Sequence, residues 1–400
     1  MNRQGMPRTV WTLACAYALS FCSGPLVVLI GGLAGRALAP DASLSTLPVS
    51  LWIVGTAIGA APLSLLMRRV GRKAVMVAAP IAAAIAALGS AWAIEAQSFV
   101  GLCLGTAALG AGVAVVWQYR FAAIESAPST RAGDAAARVL LGGLAAAVLG
   151  PELGVRGRDL LGQPFSGSFA LLALTDLTAA AVLWIGYRPV PAPAATPAQG
   201  AAVVGGSLLR RPVFWAAMSS GAVGFAVMSL IMTATPLSMT EGDGHSLAHA
   251  KQVVQAHILA MWAPSFVSGV LIRRFGIARL MGVGLAAYTI CVAIGLAGRD
   301  LHHYGGALLL LGMGWNLLFV GGTALLPQAY RADERFRAQA LNDSCVFGTQ
   351  ALASLAAGGA LAWLGWDGLM WLALPLIALH LGAMAVWRMQ GSGAVLRAES

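Results

Sequence analysis

Met228 and Met232 stand four residues apart in "FAVMSLIMTATPLSM", and His257 and Met261 stand four apart in "QAHILAMWAPSF". Residues i and i+4 of a helix are neighbours on one face, so each stretch points two side chains the same way. Three thioethers and one imidazole make a soft, neutral ligand set that suits Cu(I) better than Mg, Ca or Mn, which prefer oxygen. Neutral ligands leave a monovalent ion its charge and hold it weakly enough to let it go, as a carrier must. The spacing alone is not specific in a chain with 14 Met and 6 His, and His380 with Met384 repeats it as an incidental match. The first two motifs differ in falling on consecutive helices at one depth. Met232 and Met228 lie about 5 and 9 residues before the outer end of one span, and His257 and Met261 about 7 and 11 residues after the outer start of the next, nearly level at 1.5 Å per residue.

The elements that must hold these residues are membrane spans. The 400-residue chain is 58% hydrophobic and 10% charged, with a mean hydropathy of +0.78; soluble domains carry about 25% charged residues. Runs long enough to span a bilayer occur at 9–34, 45–67, 74–94, 97–119, 134–154, 167–187, 212–237, 250–272, 278–297, 304–328, 338–363 and 366–387. The expected fold is therefore an all-α integral membrane protein of twelve transmembrane helices. The Pro- and Ala-rich stretch "YRPVPAPAATPAQGAAVVGG" divides it into a bundle at 1–187, a cytoplasmic linker at 188–211 and a second bundle at 212–400. The first apolar run is too long for a cleavable signal and should remain as a helix.

With the N-terminus in the cytoplasm, 20 of the 25 Lys and Arg fall in inside segments and only Arg36, Arg156, Arg158, Lys251 and Arg299 outside. That bias supports both termini being cytoplasmic in a bacterial inner membrane. It also explains the net charge of +10 as a topology signal and a contact for anionic lipid, not for nucleic acid. The five cysteines show no metal-finger or disulfide spacing and read as buried structural thiols. No phosphate-binding loop is present, so direct ATP drive and an enzymatic reading are set aside.

The chain repeats itself. "SLLMRRVGRKAVM" (64–76) aligns without gaps with "GVLIRRFGIARLM" (269–281), and Tyr119 and Arg120 answer Tyr330 and Arg331. Two related six-helix halves joined by a linker resemble the major facilitator superfamily, in which solute binds between the halves near the midplane. The stretch from Ser64 through Arg68 and Arg69 to Gly71, Arg72 and Lys73 is similar to that superfamily's loop between its second and third helices, with Ser64 in place of glycine and Arg68 in place of aspartate.

Within the superfamily, the paired motifs Met228/Met232 and His257/Met261 resemble the signature of CcoA-like copper importers. "QYRFAA", "RAQALND" and "MTATPLSM" look like that family and its riboflavin-transporting relatives. The resemblance implies a secondary active importer of copper working by alternating access and supplying cytochrome oxidase assembly. It carries no permanently bound cofactor; copper is its cargo, copper chaperones on either side of the membrane are its partners, and the expected state is a monomer. His245, His249, His302 and His303 form a candidate outer vestibule for metal, and Asp176, alone in the sixth span, is a candidate coupling residue. Two alternatives stay open. One keeps the transporter but gives it riboflavin or another small aromatic solute, stacked on Trp117, Tyr119, Trp262 and Trp315. The other is a membrane metal sensor or oxidase assembly factor that transports nothing.

Overall fold

A computed structural model describes residues 6–128, 132–189, 208–330 and 334–398. Among them all regular structure is helical. The first half contains α1 (Arg8–Ser20), α2 (Ser23–Leu38), α3 (Leu47–Val70), α4 (Arg72–Glu95), α5 (Phe99–Val116), α6 (Tyr119–Glu125), α7 (Ala132–Arg156) and α8 (Ser166–Gly186). The second contains α9 (Pro212–Leu237), α10 (Leu247–Trp262), α11 (Ser265–Phe275), α12 (Ile277–Ala297), α13 (Leu301–Leu325) and α14 (Arg335–Ala398). Most of the linker, residues 190–207, lies outside the described residues, as does Arg331.

Ten helical stretches among the described residues are long and apolar enough to cross a membrane. Two features reconcile that number with the twelve apolar runs. The last stretch, 54 residues long, turns at Gly365, whose φ of +67° no ordinary helix contains, so it holds two spans. The eighth run is broken where an unbroken helix over 250–272 was expected: α10 stops at Trp262 and α11 starts at Ser265. Pro264 lies in the gap, and its missing N–H and its ring oppose the bond to the residue four back. The same cause acts in the first run. Pro25 leaves the Phe21 carbonyl without its usual donor, and α1 gives way to α2 at Phe21–Cys22. Cys15 and Cys22 therefore do not share a continuous face; Cys15 is exposed, and Cys22 is buried with its thiol on the Ala18 carbonyl at 3.1 Å. Asn342 and Asp343 lie two turns inside α14, where the Asn342 amide donates to Asp343 at 3.0 Å.

The sequence repeat is present in the backbone. Gly71, between α3 and α4, has φ 91° and ψ 147°; Gly276, between α11 and α12, has φ 80° and ψ 158°. Glycine alone enters that region without steric cost. Beyond Gly71, Arg72 pairs with Glu125 of α6 at 2.5 Å, and Lys73 donates to the Trp184 carbonyl of α8 at 2.9 Å while lying over the Trp184 ring. These contacts tie the loop to its neighbours although Arg68 replaces the usual aspartate. Ser64 is half-buried and Arg69 exposed in α3; the Arg68 side chain falls outside the described residues.

The chain forms two compact units, residues 1–194 with 240–255 and residues 195–239 with 256–400. In the first, α3 and α5 approach so closely that a Cβ on Gly110 would strike the Trp52 carbonyl. In the second, α9 is the buried centre: its most apolar membrane-length window is wholly buried. Some of its hydroxyls bond across helices, Ser220 on the Leu318 carbonyl at 2.7 Å and Thr233 with Ser354 at 3.0 Å. Tyr288 of α12 donates to the Gly224 carbonyl at 2.6 Å. Such bonds are the usual polar cement between helices in an apolar solvent.

Candidate functional site

Met228 and Met232 are both buried, as is His257, whereas Met261 is half-buried. All four belong to the second compact unit. The imidazole is fixed by α13, where its Nδ1 stands 2.8 Å from the Leu308 carbonyl. A carbonyl only accepts, so Nδ1 donates, and a neutral ring then presents the Nε2 lone pair; Nε2 has no hydrogen-bond partner. One turn on, Asn316 of α13 donates to the Met261 carbonyl at 2.7 Å and to the Ser265 hydroxyl at 2.6 Å. It thereby spans the break at Pro264, where the helix cannot satisfy its own carbonyls. Gly312 makes this close approach possible: a Cβ there would come within 2.5 Å of the His257 carbonyl oxygen. The structure thus joins His257 and Met261 through α13, and it places Met228 and Met232 on a separate helix, α9. The shared face of α9 also carries Phe225, three residues before Met228 and seven before Met232.

Phe225 opens the larger feature of the unit. Its ring packs edge-on against Trp315 at 5.1 Å, Phe319 at 5.5 Å and Phe347 at 5.8 Å. Trp315 stacks on Phe319 at 5.2 Å and meets Trp262 edge-on at 6.1 Å. Five rings from α9, α10, α13 and α14 form one cluster. Trp315 and Asn316 are buried, yet Trp315 Nε1 and Asn316 Oδ1 are unpartnered. With His257 Nε2, the α10–α13 pair therefore holds one spare donor and two spare acceptors. A buried polar atom without a partner costs free energy, and a bound heterocycle with complementary edges would remove that cost. Phe225, Phe319 and Phe347 were not singled out from sequence. The signal available was Phe225 at i−3 and i−7 from the two methionines.

Among the described residues no three His, Cys, Asp or Glu side chains come together as a metal cluster. Any soft-metal site here would rest on His257 and thioethers. The four outer histidines fall in different units: His245 and His249, 6.0 Å apart between ring centroids, in the first, and His302 and His303 in the second. Asp300 caps α13 by accepting from the backbone N–H groups of His302 and His303 and from the His303 ring at 2.8 Å. Those bonds, the backbone one from His303 first, hold its carboxyl below the usual range. In the first unit Trp117 packs on Tyr17 and Phe21, and Tyr119 is fully buried. Asp176 is buried in α8 with neither oxygen partnered.

Repeated bundles of membrane-length helices around buried polar and aromatic groups define a membrane transporter, and the chain belongs to the Major Facilitator Superfamily, whose sequence profile matches residues 12–256. Over 392 residues it is 38% identical to the riboflavin transporter RfnT of Brucella anthropi, covering 98% of each chain. It is 31% identical to the MFS-type transporter YdeG of Bacillus subtilis, over 90% of this chain and 87% of that one. Two solved structures share the fold at 14% identity. A bacterial homologue of the lysosomal transporter Spinster, inward-facing and occupied, superposes with a TM-score of 0.70 over 96% of each chain. A bacterial metal transporter superposes with 0.69 over 96% of this chain and 100% of that one.

Proposed function

We propose that this transporter carries riboflavin, or a solute with the same planar, hydrogen-bonding ring chemistry, across a bacterial inner membrane. The observation that carries the reading is the ring cluster of Phe225, Trp262, Trp315, Phe319 and Phe347, on helices that also carry the unpartnered Trp315 Nε1, Asn316 Oδ1 and His257 Nε2. Riboflavin offers flat faces for stacking, a ring carbonyl to accept from Trp315 Nε1, an imide N–H to donate to one of the two spare acceptors, and hydroxyls on its polyol chain to donate to the other. The full-length relative named for riboflavin transport supports the same cargo. The copper expected from the soft-ligand pattern finds no such support: the metal transporter resembles this chain at 14% identity, a likeness of fold alone. In this reading Met228 and Met232 are apolar wall, and His257 is a hydrogen-bonding group.

The test is uptake of labelled riboflavin by cells lacking their own uptake system, with copper uptake measured in parallel. Wild type should accumulate riboflavin and not copper, and Trp315→Ala should abolish accumulation at unchanged protein level. Copper accumulation that depends on Met232 and His257, with no riboflavin uptake, would reverse the assignment.

A further inference from the structure

Trp366, just past the turn at Gly365, donates its ring N–H to the Gly295 carbonyl of α12 at 2.9 Å, and a Cβ on Gly295 would come within 2.9 Å of Met370 Sδ. At that end α12 and the second span of α14 touch closely. Toward the other end they enclose a cavity of about 650 Å³. Its α12 wall includes Ala278, Gly282 and Ala286, spaced by four and so on one helix face, and these small residues leave the space open. Its α14 wall is the stripe Ile377, Leu381, Met384 and Arg388. Arg279, in the first turn of α12, and Arg388 line the cavity at the end away from Trp366. Apart from these and Thr289 the lining is apolar, and it includes no Asp or Glu. Val283, Leu381 and both arginines are exposed, so the cavity is a groove open on the outside of the helix pair.

The stripe from Arg388 back to Ile377 runs about 16 Å at 1.5 Å per residue, half of a hydrocarbon core ~30 Å thick. The groove therefore has the depth of one leaflet, with two cations at its rim and an apolar channel below them. A guanidinium presents a planar fork of donors that matches a pair of phosphate oxygens, and basic pockets between membrane helices bind acidic head groups. A free phosphate would use the rim and leave the apolar wall empty. A zwitterionic lipid would bring its own cation toward two arginines. We propose that this groove binds one anionic glycerophospholipid, with its phosphate at Arg279 and Arg388 and an acyl chain along the Leu381 stripe. The lipid fills the gap between the two spans and brings the opposite charge to its rim. The site lies wholly within the second compact unit, and it does not depend on which solute the protein carries.

The test uses purified full-length protein, stripped of lipid in detergent and titrated with phosphatidylglycerol, phosphatidylcholine or glycerol 3-phosphate, with bound molecules counted by native mass spectrometry. Each cation near the membrane surface favours an anionic lipid about fivefold, so wild type should hold one phosphatidylglycerol roughly thirtyfold more tightly than phosphatidylcholine. It should retain no glycerol phosphate. Arg279→Gln combined with Arg388→Gln should erase the preference. Leu381→Trp keeps both arginines and fills the groove, and it should lose the bound lipid as well. Arg273→Gln, at an exposed arginine of α11 outside the cavity, should keep it, and thermal unfolding without lipid checks that each variant is folded. Equal retention of the two lipids, or a preference that survives either the double variant or Leu381→Trp, would overturn the proposal. So would an equal loss in Arg273→Gln, which would mean diffuse charge attraction, or glycerol phosphate held as tightly as the lipid, which would mean a soluble-anion site.

Discussion

At the scale of single residues, one face of α9 carries two chemistries, and substitution separates them. If Met228 and Met232 are wall, Met228→Leu and Met232→Leu, which keep volume and apolarity at a cost usually below about 1.5 kcal/mol, should leave riboflavin uptake within about twofold of wild type. If they are ligands, both changes abolish transport. Trp315 allows a finer division. Trp315→Phe keeps a stacking face and removes the unpartnered Nε1–H; one net hydrogen bond is worth about 0.5–1.5 kcal/mol, so the concentration for half-maximal uptake should rise about two- to tenfold with little change in maximal rate. A ring needed only for packing would show no such rise. His257 was legible from sequence as an imidazole inside an apolar span, where a polar group demands an explanation. Its partner was not, because the Leu308 carbonyl belongs to another helix 51 residues away. Phe225, Phe319 and Phe347 were illegible for the opposite reason: in a chain dissolved in lipid, a phenylalanine facing a cavity has the same composition signal as one facing acyl chains.

At the scale of elements, hydropathy located the spans and proline decided where they break. Hydropathy alone gives a continuous run, because a break of two or three residues leaves the average over a window unchanged. The backbone at Pro25 and Pro264 shows what the average hides. The second break is functional in the proposed site, since it frees Ser265 and the Met261 carbonyl for Asn316. Gly312 is the element-level condition for that arrangement. Gly312→Ala forces a methyl group against the His257 carbonyl, and because that obstacle is backbone, α10 and α13 must move apart. Overpacking of this kind costs about 1–3 kcal/mol. The expected result is a lower Tm and riboflavin uptake reduced at least as much as by Trp315→Phe. Gly282→Ala, on α12 with open space at its Cβ, is the matched control and should leave both unchanged.

At the scale of the whole molecule, the repeated glycines at 71 and 276 show that architecture was the most legible level. A sequence echo between 64–76 and 269–281 became the same backbone turn twice. Less legible was where the chain divides into compact units, because α10 contributes its first part, through Gln255, to the first unit and the remainder to the second. Within the first unit that part of α10 is held to α7 by charge. Glu152 lies 2.7 Å from Lys251 and 3.3 Å from Arg156, and Gln255 donates to the Val148 carbonyl at 3.0 Å. One acid serving two bases makes the site asymmetric. Lys251→Glu sets two carboxylates side by side but leaves Arg156 to offset them. Glu152→Lys gathers three cations with nothing between. The second change should therefore lower the Tm and the transport rate more than the first. The double change restores an opposite pair across α7 and α10 and should recover most of the loss, with a coupling on the order of 1 kcal/mol for so partly exposed a pair. Purified single and double variants, compared by thermal unfolding at low and high salt, measure that coupling directly. Equal damage from the two reversals, or no rescue in the double variant, would mean that the pair is incidental and that α10 is held to α7 by packing and the Gln255 bond alone.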